Sequence, residues 1–308
     1  MKKFLSVHGG KILIVLLIAN LAIWILILSR VPGRFLKIYF LDVGQGDAEL
    51  IKSPEGQTML IDGGPDEKIL EKLGKYLPPL CKKIDIVLLT HPHTDHAAGL
   101  VEVLKRYDVG LVILNGAYLK TGAYDQFLAA VKNSRTKVLT AAAGTAIHFG
   151  SAAPSAAGAA EFDIISPAAT AGAVFNQKSE SFGAAGNDVN DTSIVGKFFY
   201  KNFSSLLTGD ATSKIENIIS AEYGDRLKSG VLKVGHHGSK YASSTAFLKL
   251  VSSKAAIIEV GAKNRYGLPS PAALSRLQLS GAKIFRTDED GDIEILTDGF
   301  STEIFKEK

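Results

Sequence analysis

The chain has 308 residues, a formal net charge of +4 and a hydrophobic content of 46%. This length suffices for one large domain or two small ones with a buried core, and so small a net charge says little about nucleic acid as a partner. The single cysteine, Cys81, excludes an internal disulfide and a cysteine-rich zinc module, and its apolar neighbours favour a buried thiol over a nucleophile.

The first predicted element is a helix over residues 12–28, an uncharged run in which Asn20 is the one strongly polar residue. With its flanks, this run approaches the ~20 residues that a membrane-spanning helix needs. A buried core helix and a cleaved signal peptide are the alternatives, but residues 28–32 offer bulky and charged side chains where a small-x-small cleavage site is expected. We predict an uncleaved, single-pass anchor and linker over residues 1–34 and one domain over residues 35–308. The basic residues before the run favour a cell-membrane location with an extracytoplasmic domain.

The predicted domain alternates strands and helices, which indicates a layered α/β architecture. Apolar runs bounded by turn residues predict strands over residues 35–43, 48–51, 58–61, 84–89, 111–114, 192–199, 204–208, 231–234, 255–260 and 293–296. Helices are predicted over residues 67–76, 100–107 and 214–221. Residues 141–186 are rich in Ala, Gly and Ser, and we predict a loose insertion with one strand near 162–165; a lid over a site is the alternative.

A cluster of imidazole and carboxylate side chains follows directly after the predicted strand that ends at residue 89: His91, His93, Asp95 and His96. Both groups are ligands for Zn²⁺, Mn²⁺ or Fe. Side chains alternate along an extended segment, so His91 and His93 project together, while Asp95 and His96 can face a second ion once the chain turns into a helix. A surface loop with chance histidines is the alternative, but it leaves the adjacent histidine pair near residue 236 unexplained.

The spacing of this cluster, His-x-His-x-Asp-His, resembles the metal-binding motif of the metallo-β-lactamase superfamily. Further segments are similar, in the same order, to the hydrolase domain of the ComEC family of DNA-uptake proteins: residues 40–48, 61–64, 190–193, 207–210 and 232–239. The resemblance runs from about Lys37 to the C-terminus. It implies a metallo-β-lactamase αββα sandwich, preceded here by the predicted transmembrane helix, and a metal-dependent hydrolase.

The resemblance also implies two divalent metal ions, Zn²⁺ or Mn²⁺, and a set of ligands. It assigns His91 and His93 to one ion, Asp95, His96 and His237 to the other, and Asp210 to a bridge between them. Beside His237, His236 is expected to be catalytic, as a phosphate contact or general acid, although the two histidines could exchange roles. Capping the following helix is the alternative for Asp210.

Three positions near these ligands carry open alternatives. Asp62 either orients the metal-binding loop or begins a Gly-Gly turn. Asp191, in the pair Asn190–Asp191, is predicted to be catalytic through contact with substrate or metal, and an ordinary loop residue is the alternative. Leu268 lies where relatives of the resembled family often carry a histidine, which implies a slower or differently selective enzyme if that histidine assists catalysis.

Charge is unevenly distributed, and this bears on the substrate. Residues 227–287 contain one acid, Glu259, and the following basic residues: Lys228, Lys233, Lys240, Lys249, Lys254, Lys263, Arg265, Arg276, Lys283 and Arg286. If several surround the site, DNA or another phosphodiester polyanion is the natural substrate, and Tyr241 and Tyr266 are suited to stack on bases. A solvated basic face is the alternative reading.

We therefore predict a phosphodiesterase or nuclease at the membrane surface that uses water activated by two metal ions. The alternatives are a hydrolase of a cell-wall or lipid phosphoester, such as a phosphocholine esterase, and a catalytically weak DNA-binding module. The sequence predicts a membrane contact through one N-terminal helix but identifies no protein partner.

Overall fold

The computed structural model describes residues 2–28, 34–150, 159–167 and 188–308. Its helices are α1 (Lys2–Leu28), α2 (Lys68–Tyr76), α3 (Thr94–Arg106), α4 (Gly122–Ser134), α5 (Ser213–Tyr223), α6 (Thr245–Val251), α7 (Pro271–Leu279) and α8 (Thr287–Asp290). Its strands are β1 (Leu36–Phe40), β2 (Glu49–Lys52), β3 (Thr58–Ile61), β4 (Lys83–Leu89), β5 (Asp108–Leu114), β6 (Lys137–Thr140), β7 (Ala146–Phe149), β8 (Ala160–Ser166), β9 (Val195–Tyr200), β10 (Phe203–Leu207), β11 (Val231–Lys233), β12 (Ala255–Ile258), β13 (Lys283–Arg286), β14 (Ile293–Thr297) and β15 (Thr302–Lys306).

Helix α1 contains the apolar run that was predicted to be helical, residues 12–28. None of the helices in the described part of the chain has the length and apolar character needed to cross a membrane. The helical conformation of the run is thus confirmed, whereas its crossing of a membrane is not.

The described strands form two sheets. The first has the order β15-β14-β1-β2-β3-β4-β5-β6, and the second has the order β13-β12-β11-β10-β9-β8-β7. Strands β3 to β6 run parallel in the first sheet, as do β10 to β13 in the second. Strand β1 pairs antiparallel with β14, placing Leu36 opposite Thr297, so the start and the end of the domain lie in the same sheet.

Apolar side chains form three cores that hold these layers together. One core, which includes Phe40 and Phe198, joins residues from the inner faces of both sheets. A second lies between the first sheet and helices α2, α3 and α4, and includes Leu100. A third lies between the second sheet and helices α5, α6 and α7, and includes Phe247. The architecture is therefore the predicted αββα sandwich.

Two departures from the predicted elements concern the region of the site. The helix predicted over residues 100–107 begins earlier, at Thr94, and the helix α4 was not predicted. In the Ala-, Gly- and Ser-rich segment, the predicted strand near 162–165 lies within β8, and β7 is a second strand that pairs with it. The rest of that predicted insertion falls largely outside the described residues.

Candidate metal centre and substrate cavity

The first half of the site is built where β4 ends and α3 begins. His91 is fully buried after the strand, and His93 is the N-terminal cap residue of α3 with extended backbone dihedral angles. Because the helix begins at Thr94, Asp95 and His96 fall in its first turn. Four potential ligands therefore lie on one strand-to-helix junction, as predicted from their spacing.

A tight turn of the chain packs against this junction. A Cβ atom on Gly46 would lie 2.1 Å from the carbonyl oxygen of Asp95, and the φ angle of Gly46 is +146°. Only glycine permits both this approach and this conformation. The segment 44–47 thus places Asp47 next to the cluster of potential ligands.

The second half of the site comes from the other sheet. Asp210 follows β10, and its backbone N–H donates to the Ser193 hydroxyl at 3.2 Å. His236 and His237 follow β11 in left-handed backbone conformations, with φ angles of 51° and 52°. Such conformations cost roughly 1–2 kcal/mol for each non-glycine residue, so the surrounding contacts must hold them. His237 is buried, whereas the His236 side chain is 25% exposed.

Asp210 lies at the centre of the cluster. Its Oδ2 atom is 3.8 Å from His91 Nε2, 3.5 Å from His96 Nε2 and 3.4 Å from His237 Nε2. Asp95 Oδ2 is also 3.4 Å from His237 Nε2. The potential ligands form two groups, within each of which the ligand atoms lie within 4.8 Å of one another: His91, His93 and Asp210; and Asp95, His96 and His237. The structure thus brings together all six residues that the sequence proposed as ligands, and His237 rather than His236 belongs to a group.

The donor atoms of this cluster suit divalent cations. Among the described residues, the buried atoms His96 Nε2, His237 Nε2 and Asp210 Oδ1 have no hydrogen-bond partner. Buried polar atoms without a partner are costly, and imidazole nitrogens with carboxylate oxygens are the usual ligands of Zn²⁺. The Asp210 carboxylate of the first group also adjoins His96 and His237 of the second, an arrangement that suits a pair of ions.

The carboxylates of Asp210 and Asp47 make the centre of the ligand cluster favourable for positive charge. Burial lowers the pKa of the His237 imidazole, but the carboxylates of Asp210 and Asp47 outweigh burial and raise this pKa to about 10. Burial likewise opposes ionisation of Asp210, yet His237 and His96 hold its pKa well below the usual range. The negative potential that attracts a proton to the His237 imidazole would equally attract a metal cation.

Asp62 fixes the orientation of the His96 imidazole. It accepts hydrogen bonds from the Thr90 backbone N–H at 2.8 Å and from the Thr90 hydroxyl at 2.6 Å. Its Oδ2 atom also lies 2.7 Å from His96 Nδ1. This contact leaves His96 Nε2 directed toward Asp210, as expected for a carboxylate that orients a metal-binding histidine.

Two buried residues, Asp47 and Lys233, support the cluster. The sequence did not predict this role for them. Asp47 is fully buried, and its Oδ1 atom is 3.1 Å from His237 Nδ1. The fully buried Lys233 pairs with Asp47 Oδ2 and donates to the Gly209 carbonyl oxygen at 3.0 Å. Lys233 is therefore not part of a basic surface. The available signal was a lysine inside the apolar strand β11, since a buried lysine requires a partner.

The single acid in the basic segment is buried as well. The Glu259 side chain accepts from the Ala48 backbone N–H at 3.0 Å, and the Glu259 carbonyl oxygen lies 2.9 Å from His237 Nδ1. Burial, followed by the Asp47 carboxylate, raises the pKa of Glu259 to about 8. Glu259 therefore belongs to the support of His237 and does not offset the basic surface.

Asp191, predicted to be catalytic, lies in a different set of contacts. Its carboxylate accepts from the Thr212 hydroxyl and pairs with Lys214 Nζ at 3.0 Å, at the start of α5. It belongs to neither group of potential metal ligands and does not line the cavity described next. A contact with substrate or metal stays a prediction for this residue.

A cavity of about 1020 Å³ opens over the cluster. His93, Asp95, Asp210, His236 and His237 form part of its lining. The remainder of the lining includes these residues: Gln45, Pro65, Thr94, Ser239, Lys240, Tyr241, Lys263, Asn264, Arg265, Tyr266, Gly267, Leu268 and Ser270. Three of the ten basic residues of segment 227–287 thus border the cavity, and so does Leu268, at the position where the resembled family often has histidine.

This fold and cluster define a class of protein. The family model described as the metallo-beta-lactamase superfamily matches residues 41–261, and the chain belongs to that superfamily. Among solved structures, the metallo-beta-lactamase fold protein YhfI from Bacillus subtilis is similar, with a TM-score of 0.52 and 13% identity, covering 84% of this chain and 99% of that one. At this identity the similarity concerns the fold alone.

Two curated relatives indicate which members of this superfamily the chain resembles. The chain is 26% identical over 275 residues to ComE operon protein 3 of Bacillus subtilis (strain 168), which covers 84% of this chain and 32% of that protein. It is 37% identical over 107 residues to Competence protein ComA of Neisseria gonorrhoeae, covering 35% of this chain and 16% of that protein. The resemblance to the ComEC family is confirmed. The chain spans about a third of the first relative's length and less of the second.

Proposed function

We propose that this protein is a phosphodiesterase of the nuclease type that depends on two divalent metal ions. The observation that carries the proposal is a pair of ligand groups at the floor of a cavity bordered by Lys240, Lys263 and Arg265. Asp210 belongs to the first group, and its Oδ2 atom lies 3.5 Å from His96 Nε2 and 3.4 Å from His237 Nε2 of the second. Histidine and carboxylate ligands indicate hydrolytic metal chemistry, and unpaired cations beside them favour an anionic ester. Similarity to a competence protein and to a ComE operon protein supports DNA as the substrate.

Each proposed ligand has a distinct part in holding the ions. His91 and His93 would hold one ion, Asp95, His96 and His237 the other, and the Asp210 carboxylate would bridge both. Bound divalent cations supply Lewis-acid chemistry, because they make water acidic and neutralise charge on a phosphoryl group. A bridging carboxylate between two cations stays ionised and limits their mutual repulsion.

Residues outside the ligand groups would bind and orient the ester. His236 borders the cavity, and its Nε2 atom lies 4.0 Å from Asp210 Oδ2, so a phosphate over the cluster would be within reach of this nitrogen. We assign His236 the donation of a proton from Nε2 to the leaving oxygen as the bond from that oxygen to phosphorus breaks and the oxygen of water takes its place. Lys240, Lys263 and Arg265 would hold the flanking phosphates by charge.

A cleavage assay with the 308-residue chain tests the proposal. We expect a single-stranded oligonucleotide and bis-p-nitrophenyl phosphate to be hydrolysed with added Zn²⁺ or Mn²⁺ and not in EDTA. His93→Ala should abolish both activities, whereas His148→Ala, a histidine on strand β7 outside the cluster, should retain them.

Three other outcomes contradict the proposal. Release of choline from a phosphocholine ester, without cleavage of either phosphodiester, would instead identify a phosphoester hydrolase of the cell wall or lipid. Tight oligonucleotide binding without metal-dependent cleavage would identify a binding module. Cleavage that persists in His93→Ala would place the chemistry elsewhere.

We further propose that residues 1–34 hold the domain, residues 35–308, at the outer face of the cell membrane. The support is the uncharged run 12–28 with basic residues before it. Fractionation of cells that produce the full chain, compared with a chain lacking residues 1–34, tests this location. Recovery of the full chain in the soluble fraction would contradict it.

A further inference from the structure

Two aromatic side chains border the cavity, and each lies beside a cation. Tyr241 is 63% exposed and Tyr266 is 58% exposed. Lys240 Nζ lies 5.0 Å from the centre of the Tyr241 ring, and Arg265 Cζ lies 5.2 Å from the centre of the Tyr266 ring. Both pairs line the cavity that contains the proposed metal ligands. Each pair thus places an aromatic ring and a positive charge together on the wall of the cavity.

The backbone beneath each ring is fixed by hydrogen bonds. The carbonyl oxygen of Tyr241 accepts from the Ser213 N–H at 2.8 Å, and that of Lys240 accepts from Arg276 at 3.1 Å. On the other loop, the Asn264 side chain accepts from the Tyr266 N–H at 3.2 Å and donates to the Leu268 carbonyl oxygen at 2.7 Å. The rings are therefore exposed on ordered loops, which lowers the entropy lost when a ligand stacks on them.

The charge of the cavity selects the class of ligand. Among the described lining residues, Lys240, Lys263 and Arg265 are the cationic side chains apart from histidine, and the carboxylates are Asp95 and Asp210 of the metal cluster. None of the three cations pairs with a carboxylate in the described part of the chain. A ligand with several phosphates would satisfy them, and a neutral aromatic ligand would not.

We propose that Tyr241 and Tyr266, with Lys240 and Arg265, form a clamp that stacks unpaired bases and holds their phosphates, so that the site takes single-stranded nucleic acid in preference to duplex. The proposal rests on the proposed function and specifies its substrate. In a duplex the faces of the bases are stacked on one another, whereas in a single strand each base offers a face to an aromatic ring. Lys240 and Arg265 then contact the backbone beside the stacked base.

Binding and cleavage of matched ligands test the clamp in the 308-residue chain. The ligands are a labelled single-stranded oligonucleotide, the same sequence as a duplex, and an abasic strand of equal length and charge. Fluorescence anisotropy at one salt concentration should give tighter binding of the single strand than of the other two. Tyr241→Ala and Tyr266→Ala should each weaken single-strand binding about 5- to 150-fold and leave abasic binding nearly unchanged.

Two controls separate stacking from other effects. Tyr241→Phe and Tyr266→Phe keep the ring face and should retain the preference for bases. Phe300→Ala removes an exposed ring beside Lys201 that does not line the cavity, and it should change neither binding nor cleavage.

The possible failures are distinguishable. If wild-type protein cleaves bis-p-nitrophenyl phosphate but binds the abasic strand and the single strand equally, the clamp is wrong and the hydrolase proposal stands. If the protein prefers the single strand and the tyrosine variants remove this preference, but no ester is cleaved, the clamp stands and the catalytic proposal is wrong. An equal loss of abasic and single-strand binding in the alanine variants would also overturn the clamp.

Discussion

Lys233 is a fully buried positive charge beneath the candidate metal centre. Its ammonium group pairs with Asp47 and lies 3.9 Å from Asp210 Oδ1. Burial would raise the pKa of Asp47, but Lys233, with His237 and His96, outweighs burial and lowers it. Asp47 therefore remains an anion 3.1 Å from His237 Nδ1, and Lys233 acts on the site through Asp47.

Removal of this charge should destabilise the protein. In Lys233→Met the Asp47 carboxylate is left buried without its main partner, and we expect a loss of about 3–5 kcal/mol in the free energy of unfolding. Urea denaturation followed by circular dichroism measures this loss. Lys228→Met, which removes an exposed ion pair with Asp225, should change stability by no more than about 0.5 kcal/mol. Equal stabilities of the two variants would show that the buried pair contributes nothing.

Asp62→Asn should weaken metal binding without unfolding the protein. An amide is nearly the size of a carboxylate but carries no charge and has one acceptor oxygen instead of two, so it cannot accept from both the Thr90 backbone N–H and His96 Nδ1. We expect metal affinity to fall about 10- to 100-fold, measured by competition with a chromogenic chelator. Asp66→Asn, at an exposed position near the start of α2, is the control. An unchanged affinity in Asp62→Asn would contradict an orienting role.

The sequence predicted the potential metal ligands better than it predicted the buried residues that contact them. His91 to His96 are close in the chain, and their spacing alone placed them on one junction. Lys233 and Asp47 are 186 positions apart and meet only because the two sheets pack together. No local pattern encodes such a pair, so Lys233 was counted with the surface cations.

At the scale of elements, helix α3 carries two potential ligands and must approach a neighbouring turn closely. A Cβ atom on Gly99 would lie 1.9 Å from the carbonyl oxygen of Gly63. The Gly99 N–H donates to the Gly64 carbonyl oxygen at 3.0 Å, and the Gly63 N–H donates to the His96 carbonyl oxygen at 2.9 Å. This contact sets the position of the first turn of α3, which contains Asp95 and His96.

Gly99→Ala should therefore be destabilising, although alanine favours helices. We expect a loss of about 1–3 kcal/mol, because a backbone atom must move to accommodate the methyl group. Gly74→Ala in α2 is the matched control: a Cβ atom there meets nothing within 4 Å, and we expect a gain of roughly 0.5–1 kcal/mol. Thermal unfolding of both variants measures the difference. A stabilised Gly99→Ala would contradict the close packing of α3 on this turn.

Elements with a clear apolar pattern were predicted, and those defined by tertiary pairing were not. Strand β4 is predicted from a run that is apolar apart from Asp85, and it is buried at its end. Strand β6 has mostly exposed side chains and is an edge strand that pairs with β5. Its conformation depends on that pairing rather than on its own sequence, so propensity gave no signal.

At the scale of the whole molecule, the site joins the two halves of the sandwich. His91, His93, Asp95 and His96 belong to the junction after β4 of the first sheet, whereas Asp210 and His237 follow strands of the second. Ions bound to both sets would link segments far apart in the chain. Metal binding should therefore contribute to the stability of the entire domain.

Removal of metal should lower the melting temperature of the wild-type protein. A cation that binds only the folded state stabilises it by about 2.7 kcal/mol at one hundred times its dissociation constant. We expect EDTA to lower the melting temperature in differential scanning calorimetry by several degrees, and excess Zn²⁺ or Mn²⁺ to restore it. His237→Ala should reduce this difference, because one ligand group loses a member. His148 lies on strand β7, outside both ligand groups. The His148→Ala variant should therefore retain the full difference in melting temperature. An identical melting temperature with and without EDTA in the wild type would mean that the two halves are held by their apolar cores alone.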